Sequence, residues 1–145
     1  MIRTAAASIL MVDDNPGDVR LTAEALIETG ANAELASVRD GIEAMAYLRC
    51  QSPWTTRPRP ALVLLDLNLP RMHGRDVLRA MKGDAALRRI PVVVLSTSQA
   101  AKDVSDAYDL GANCYIVKPI DLDEFVAVLR DIERFWLVRA RLPGE

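Results

Sequence analysis

The sequence predicts an α/β protein built on one doubly wound parallel sheet, and three observations carry that prediction. Short apolar runs alternate with longer segments of helical period, the pattern left by repeated strand and helix units. The runs Ser8 to Val12, Ala61 to Leu65 and Val92 to Leu95 are apolar almost throughout, as strands covered on both faces must be. Prolines, glycines and short polar residues fall between these runs, where turns need them.

After the first strand, Asn15 can cap a helix over 16–29, Pro16 suits its first turn and Gly30 can close it. Ala33 to Val38 is a weaker second strand, followed by a helix over 41–50. The stretch QSPWTTRPRP at 51–60 breaks the pattern: Pro53, Pro58 and Pro60 force an extended, exposed connection, which reads as a loop insertion. Helices over 74–82 and 99–110 flank the fourth strand, and Cys114 to Val117 makes the fifth. A last helix over 121–139 begins with Asp121 and Glu124 at capping-box spacing. Along it, Leu122, Phe125, Val126, Leu129, Ile132 and Trp136 share one face and should pack on the core. Five strands and five helices in this alternation predict the flavodoxin-like order 2-1-3-4-5.

The chain is expected to be a single domain over 1–145, with its core at about 5–139 and a short tail at 140–145. Eighteen basic residues against 20 acidic ones include no basic run, which argues against nucleic acid as a partner. Cys50 and Cys114 stand far apart in no metal or redox spacing, so reduced thiols are expected. No signal peptide is apparent, and no run approaches the roughly 18 apolar residues of a membrane span, so a cytoplasmic location without membrane contact is expected.

In open parallel sheets ligands bind beyond the carboxyl ends of the strands, where the strand order reverses. Those positions are polar here: Asp13 and Asp14 after the first strand, Asp66 and Asn68 after the third, Ser96 and Thr97 after the fourth, Lys118 and Pro119 after the fifth. With strands one and three adjacent, Asp13, Asp14 and Asp66 come together. Taken singly, each position has a plainer explanation; Asp13 and Asp14 alone read as acids favoured before a helix. Together they repel unless a proton or a metal intervenes, and oxygen donors without His or Cys suit Mg²⁺ or Mn²⁺. Lys118 could hold phosphoryl oxygens as a point charge and Ser96 could hydrogen-bond them, which fits phosphorylation of Asp66 as a nucleophile. His73, the only histidine, is expected to make a surface contact.

Four segments in order, VDDNP, LLDLNLP, PVVVLSTS and GANCYIVKPI, resemble the receiver domain of two-component response regulators over about Ala5 to Arg139. The resemblance implies that Asp66 accepts phosphate from a sensor histidine kinase. It implies a Mg²⁺ site of Asp14, Asp66 and the Asn68 backbone carbonyl, with Asp13 acting through water. Lys118, Ser96 and Thr97 would contact the phosphoryl group, and the Lys118–Pro119 bond would be cis. Ser96 and Tyr115 match the family's switch pair, with the readout on helix four, strand five and helix five. Asn68, Thr97 and Ser98 lie where the family tunes dephosphorylation. The insertion at 51–60, NCYIVKP and the late FWL are similar to regulators paired with phytochrome-type kinases.

Val128, Phe135 and Val138 fall off the core face of the last helix, and Phe135, Trp136, Leu137 and Val138 crowd the chain's end. An exposed patch of this kind predicts a homodimer through Val128, Phe135, Trp136, Leu137 and Val138. The rival function, a haloacid dehalogenase-like phosphohydrolase, needs a second acid two residues after its nucleophile, where this chain has Asn68. A third possibility is a scaffold that binds its partner, unidentified from sequence, without being phosphorylated.

Overall fold

The structure, a computed structural model, describes residues 6–143. Ala5, where the resemblance begins, and residues 144 and 145 of the tail lie outside the described residues. The elements follow one another as β1 (Ala7–Val12), α1 (Pro16–Thr29), β2 (Ala33–Val38), α2 (Gly41–Leu48), β3 (Leu62–Leu65), α3 (Gly74–Lys82), β4 (Val92–Ser96), α4 (Ala101–Asp109), β5 (Cys114–Val117) and α5 (Leu122–Glu133). A π-helical turn over Arg134–Arg139 extends α5. The five strands are parallel in the order 2-1-3-4-5, as the sequence predicts.

The apolar runs become the central strands because helices cover both faces of the sheet. Leu10, Val12, Val63, Leu65, Val92 and Val94 face α2 and α3 in one core. Ile9, Met11, Leu62, Leu64 and Val93 join Leu26 of α1 and Ile132 of α5 in the other. The alternation of successive side chains between faces divides each run between the two cores.

The first helix keeps its predicted ends: the Asn15 side chain accepts from the Gly17 and Asp18 amides, and Gly30 closes the helix at φ 68°. The capping box expected at Asp121 is not formed, because that helix start is exposed and its amides are left to solvent. A capping arrangement does form at α2, where the Asp40 carboxylate accepts from the Glu43 amide at 2.8 Å and Glu43 reaches back to the Arg39 amide at 2.9 Å. In the 51–60 insertion Trp54 folds back onto Tyr47 of α2, with ring centroids 5.8 Å apart.

The end of the last helix departs from the predicted register. Leu137, expected at a dimer surface, is 3 % exposed and joins Ile132 in the core, while Leu122, expected in the core, is 58 % exposed. The π turn explains the first change. Its hydrogen bonds span five residues, as from the Ala140 amide to the Phe135 carbonyl at 2.7 Å, so Leu137 returns to the face of Ile132 five positions on. Leu122 sits at the exposed start of α5, ahead of the packed turns. Trp136 is half-buried, and Phe135 and Val138 remain exposed.

Candidate phosphoacceptor site at the strand ends

The site grows out of the chain reversals at the carboxyl ends of β1, β3, β4 and β5. The Asp13 backbone N–H donates to the Val38 carbonyl at the end of β2 at 3.1 Å, and the Asp66 backbone N–H donates to the Val12 carbonyl at the end of β1 at 3.0 Å. The two aspartates are thereby fixed by the sheet itself. Gly74 tightens the turn behind Asp66: a Cβ on it would lie 2.2 Å from the Asp66 carbonyl oxygen, so a side chain there would displace the loop. The His73 ring, rather than making a free surface contact, caps α3 by accepting from the Arg75 amide at 3.0 Å.

Asp13, Asp14 and Asp66 each present a carboxylate oxygen within 4.8 Å of the others. Lys118 reaches across from the end of β5, and its ammonium donates to Asp13 at 2.7 Å, Asp18 at 3.0 Å and Asp66 at 3.3 Å. Asp13, Asp66 and Lys118 are buried, whereas Asp14 is exposed. Burial pushes the Asp13 carboxyl up, aided by the Asp66 charge and opposed by the bonds from Lys118 and the Asn15 amide. Burial works to lower the Lys118 pKa, but Asp13, Asp66 and Asp18 outweigh it and raise it, so the lysine is firmly charged.

The donor set fits a hard divalent cation: three carboxylates converge, two of them buried, with no His or Cys among them. Asn68 is exposed next to them, its backbone N–H donating to Asp66 Oδ1 at 3.2 Å. The other predicted residues stand further round the rim. Ser96 is fully buried at the end of β4, its hydroxyl oxygen accepting from the Ser98 amide at 3.3 Å, and Thr97 is exposed. Tyr115 is half-buried and donates its hydroxyl to the Ser98 carbonyl at 2.8 Å, while the Ser98 hydroxyl bonds Asp103 at 2.5 Å. The structure therefore gathers Asp13, Asp14, Asp66 and Lys118 directly and links Tyr115 to Ser98, one turn of chain from Ser96.

Two features differ from the sequence reading. Among the described residues the cis peptide bond is that between Ser52 and Pro53, so the cis isomer expected at Lys118–Pro119 is not found. Trans remains the default before proline by about 0.5–1 kcal/mol, and with it the Lys118 amine already reaches its carboxylates. The second is Asp18, missed because an acid in the first turn of a helix reads as compensation of the helix dipole. Its place at N3, just after the cap Asn15, was the available signal.

A family model described as the response regulator receiver domain matches residues 9–130. The response regulator Rcp1 of Synechocystis sp. is 45% identical over 94% of this chain and 92% of its own. The crystal structure of the phosphorylated cyanobacterial phytochrome response regulator RcpA superposes with a TM-score of 0.93 at 48% identity, covering 97% of this chain and 100% of that one. The Mn²⁺-bound form of Rcp1 gives 0.92 at 44% identity, covering 95% and 99%. No helix among the described residues is long and apolar enough to cross a membrane. The chain, with its parallel sheet in 2-1-3-4-5 order and its acids and lysine at the strand ends, belongs to the receiver domain family of two-component response regulators and is a signalling module.

Proposed function

We propose that this receiver accepts a phosphoryl group on Asp66 from a phosphohistidine of a sensor histidine kinase, one of phytochrome type, and signals through the surface that this changes. The observation that carries the reading is the single cluster in which Asp66 stands within 4.8 Å of Asp13 and Asp14 and within 3.3 Å of the Lys118 ammonium. The pairing with phytochrome-type kinases rests on the likeness to RcpA and Rcp1.

Transfer forms a bond from an Asp66 carboxylate oxygen to phosphorus and breaks the phosphorus–nitrogen bond, whose electron pair stays on the donor imidazole. Asp14, Asp66 and the Asn68 carbonyl would hold Mg²⁺, with Asp13 acting through water; when bound, the ion would neutralise negative charge on the acids and the phosphoryl oxygens. Lys118 provides the fixed positive charge beside Asp66, so little rearrangement is needed to meet the new group. Phosphorylation adds roughly −1.5 to −2 charge. Ser96 and Thr97 answer it from the end of β4, and as Ser96 moves Tyr115 exchanges its bond to Ser98 for a more inward position. Asn68, Thr97 and Ser98 set the access of water and so the lifetime of the phosphoryl group. The chain works in the cytoplasm and its message is carried by α4, β5 and α5. The exposed Phe135 and Val138, with the half-buried Trp136 and Val128, would pair two copies.

Intact-mass measurement after incubation with Mg²⁺ and acetyl phosphate tests the central step. The wild type should gain one phosphoryl mass and Asp66→Asn none; an equal gain in both would refute Asp66 as the acceptor. For the dimer, Phe135→Glu with Val138→Glu should yield monomers in sedimentation, and a wild-type monomer under phosphorylating and resting conditions would sink that part.

A further inference from the structure

The Lys118 ammonium carries three N–H donors, and all three are engaged, by Asp13 from the end of β1, Asp66 from the end of β3 and Asp18 from the first turn of α1. These partners are not equivalent. Asp13 and Asp66 belong to the group whose oxygens converge as a cation site, together with Asp14. Asp18 contacts the lysine from outside that group, with its side chain 18 % exposed against 7 % for Lys118.

The Asp18 backbone is fixed from both directions. Its amide donates to the Asn15 side chain at 3.2 Å and its carbonyl accepts from the Thr22 hydroxyl at 2.8 Å, and Thr22 is buried. A short side chain on so constrained a backbone has little freedom, so its carboxylate is a stationary acceptor. A cation entering between Asp13, Asp14 and Asp66 competes with the ammonium for the oxygens of two of its three partners. It leaves the third untouched.

We propose that Asp18 is a positioning residue for Lys118: it retains the ammonium beside Asp66 when a divalent cation draws on Asp13 and Asp66, keeping one N–H directed to where the phosphoryl group arrives. This rests on Asp66 as the phosphoacceptor. A general helix-dipole role for Asp18 would depend on its charge alone. A positioning role depends on an acceptor atom at that place, which asparagine also supplies.

The test measures the rate of phosphoryl gain from acetyl phosphate at saturating Mg²⁺ by intact mass, in wild type, Asp18→Ala, Asp18→Asn and each change combined with Lys118→Met. Asp18→Ala should slow the wild-type reaction by about tenfold, as expected when a catalytic group loses its aim, and Asp18→Asn should recover most of that loss. In the Lys118→Met background, Asp18→Ala should change nothing further, since there is no ammonium left to hold. Thermal unfolding of each variant separates a folding defect from a slow reaction. Equal losses in Asp18→Ala and Asp18→Asn, or an undiminished loss without Lys118, overturn the positioning role. Wild-type gain with Asp18→Ala unaffected overturns it alone, whereas no gain in the wild type overturns the Asp66 reading together with it.

Discussion

Buried acids occupy both ends of this molecule, and they are handled in opposite ways. At the carboxyl ends of the strands, Asp13 and Asp66 share the Lys118 ammonium with Asp18. At the far end, where α5 runs out, Glu133 is 2 % exposed and both its carboxylate oxygens lack a hydrogen-bond partner among the described residues. The Thr29 hydroxyl, on the facing turn of α1, donates to the Leu26 carbonyl instead, and Arg130 pairs with Glu28. Burial pushes the Glu133 carboxyl up to about 8, and the neighbouring Glu28 charge adds to the rise. Paired acids can stay charged in the interior, while an isolated one keeps its proton. The first arrangement keeps charge at the strand ends; the second makes the stability of the fold depend on pH.

Removing Lys118 should break that contrast most severely. Lys118→Met leaves three carboxylates without their shared cation, and loss of one partner of a buried ion pair costs about 3–5 kcal/mol. Urea unfolding in the presence of a chelator should show this loss, and Mg²⁺ should restore part of it as the ion takes over the neutralising role. Equal stability of variant and wild type without metal would mean that these ion pairs contribute nothing to folding.

The next effect is at Glu133. Below its ordinary value of 4.5 the group is protonated in both folded and unfolded chains. Between 4.5 and about 8 the folded chain holds a proton that the unfolded chain has lost, so stability falls as pH rises through that window and levels off above it. Glu133→Gln removes this term: it should gain on the order of 4 kcal/mol at pH 8 and almost nothing at pH 4. Parallel stability curves for the two proteins across that range would show that Glu133 finds a partner.

The two ends were unequally legible in the sequence. Strand identity, order and the convergence of Asp13, Asp14, Asp66 and Lys118 could be read because apolar runs mark buried strands and the polar residues follow them directly. Asp18 was hidden because a contact 100 residues along the chain leaves no local trace, and its helix position offered a sufficient explanation. Leu137 was placed at the surface because it stands in an apolar cluster at the chain's end; the π turn, whose bonds span five residues, returns it to the core face instead. Nothing in the sequence marks Glu133, since a glutamate between Ile132 and Arg134 looks like the polar face of an amphipathic helix.

The three acids that converge as a cation site also differ from one another. Asp13 has both oxygens engaged, one accepting from the Asn15 amide at 2.9 Å and the other from Lys118 at 2.7 Å. Asp14 is exposed at the mouth of the cluster and better placed for direct ligation. Asp14→Ala should therefore weaken Mg²⁺ binding about tenfold, a difference of about 1.4 kcal/mol, and more than Asp13→Ala does. Calorimetric titration gives the ranking, and the reverse order would make Asp13 the direct ligand.

The smallest effect belongs to a third kind of acid, itself buried but paired with an exposed partner. Asp40 divides its oxygens: Oδ1 caps α2 through the Glu43 amide, and Oδ2 accepts from Arg71 at 2.9 Å. Burial works against its charge, but the cap and the guanidinium outweigh it and hold its carboxyl below the usual range. Asp40→Asn keeps the capping oxygen, since asparagine caps as well as aspartate, and removes only the charge that Arg71 meets. With the Arg71 side chain 58% exposed, the loss should be about 0.5 kcal/mol. Because the folded pKa lies below the ordinary value, that contribution is present above about pH 4 and disappears as pH falls through the folded value. Unfolding at pH 7 and at pH 3 reads both parts: a loss at pH 7 that persists unchanged at pH 3 would assign the effect to the cap instead of the ion pair.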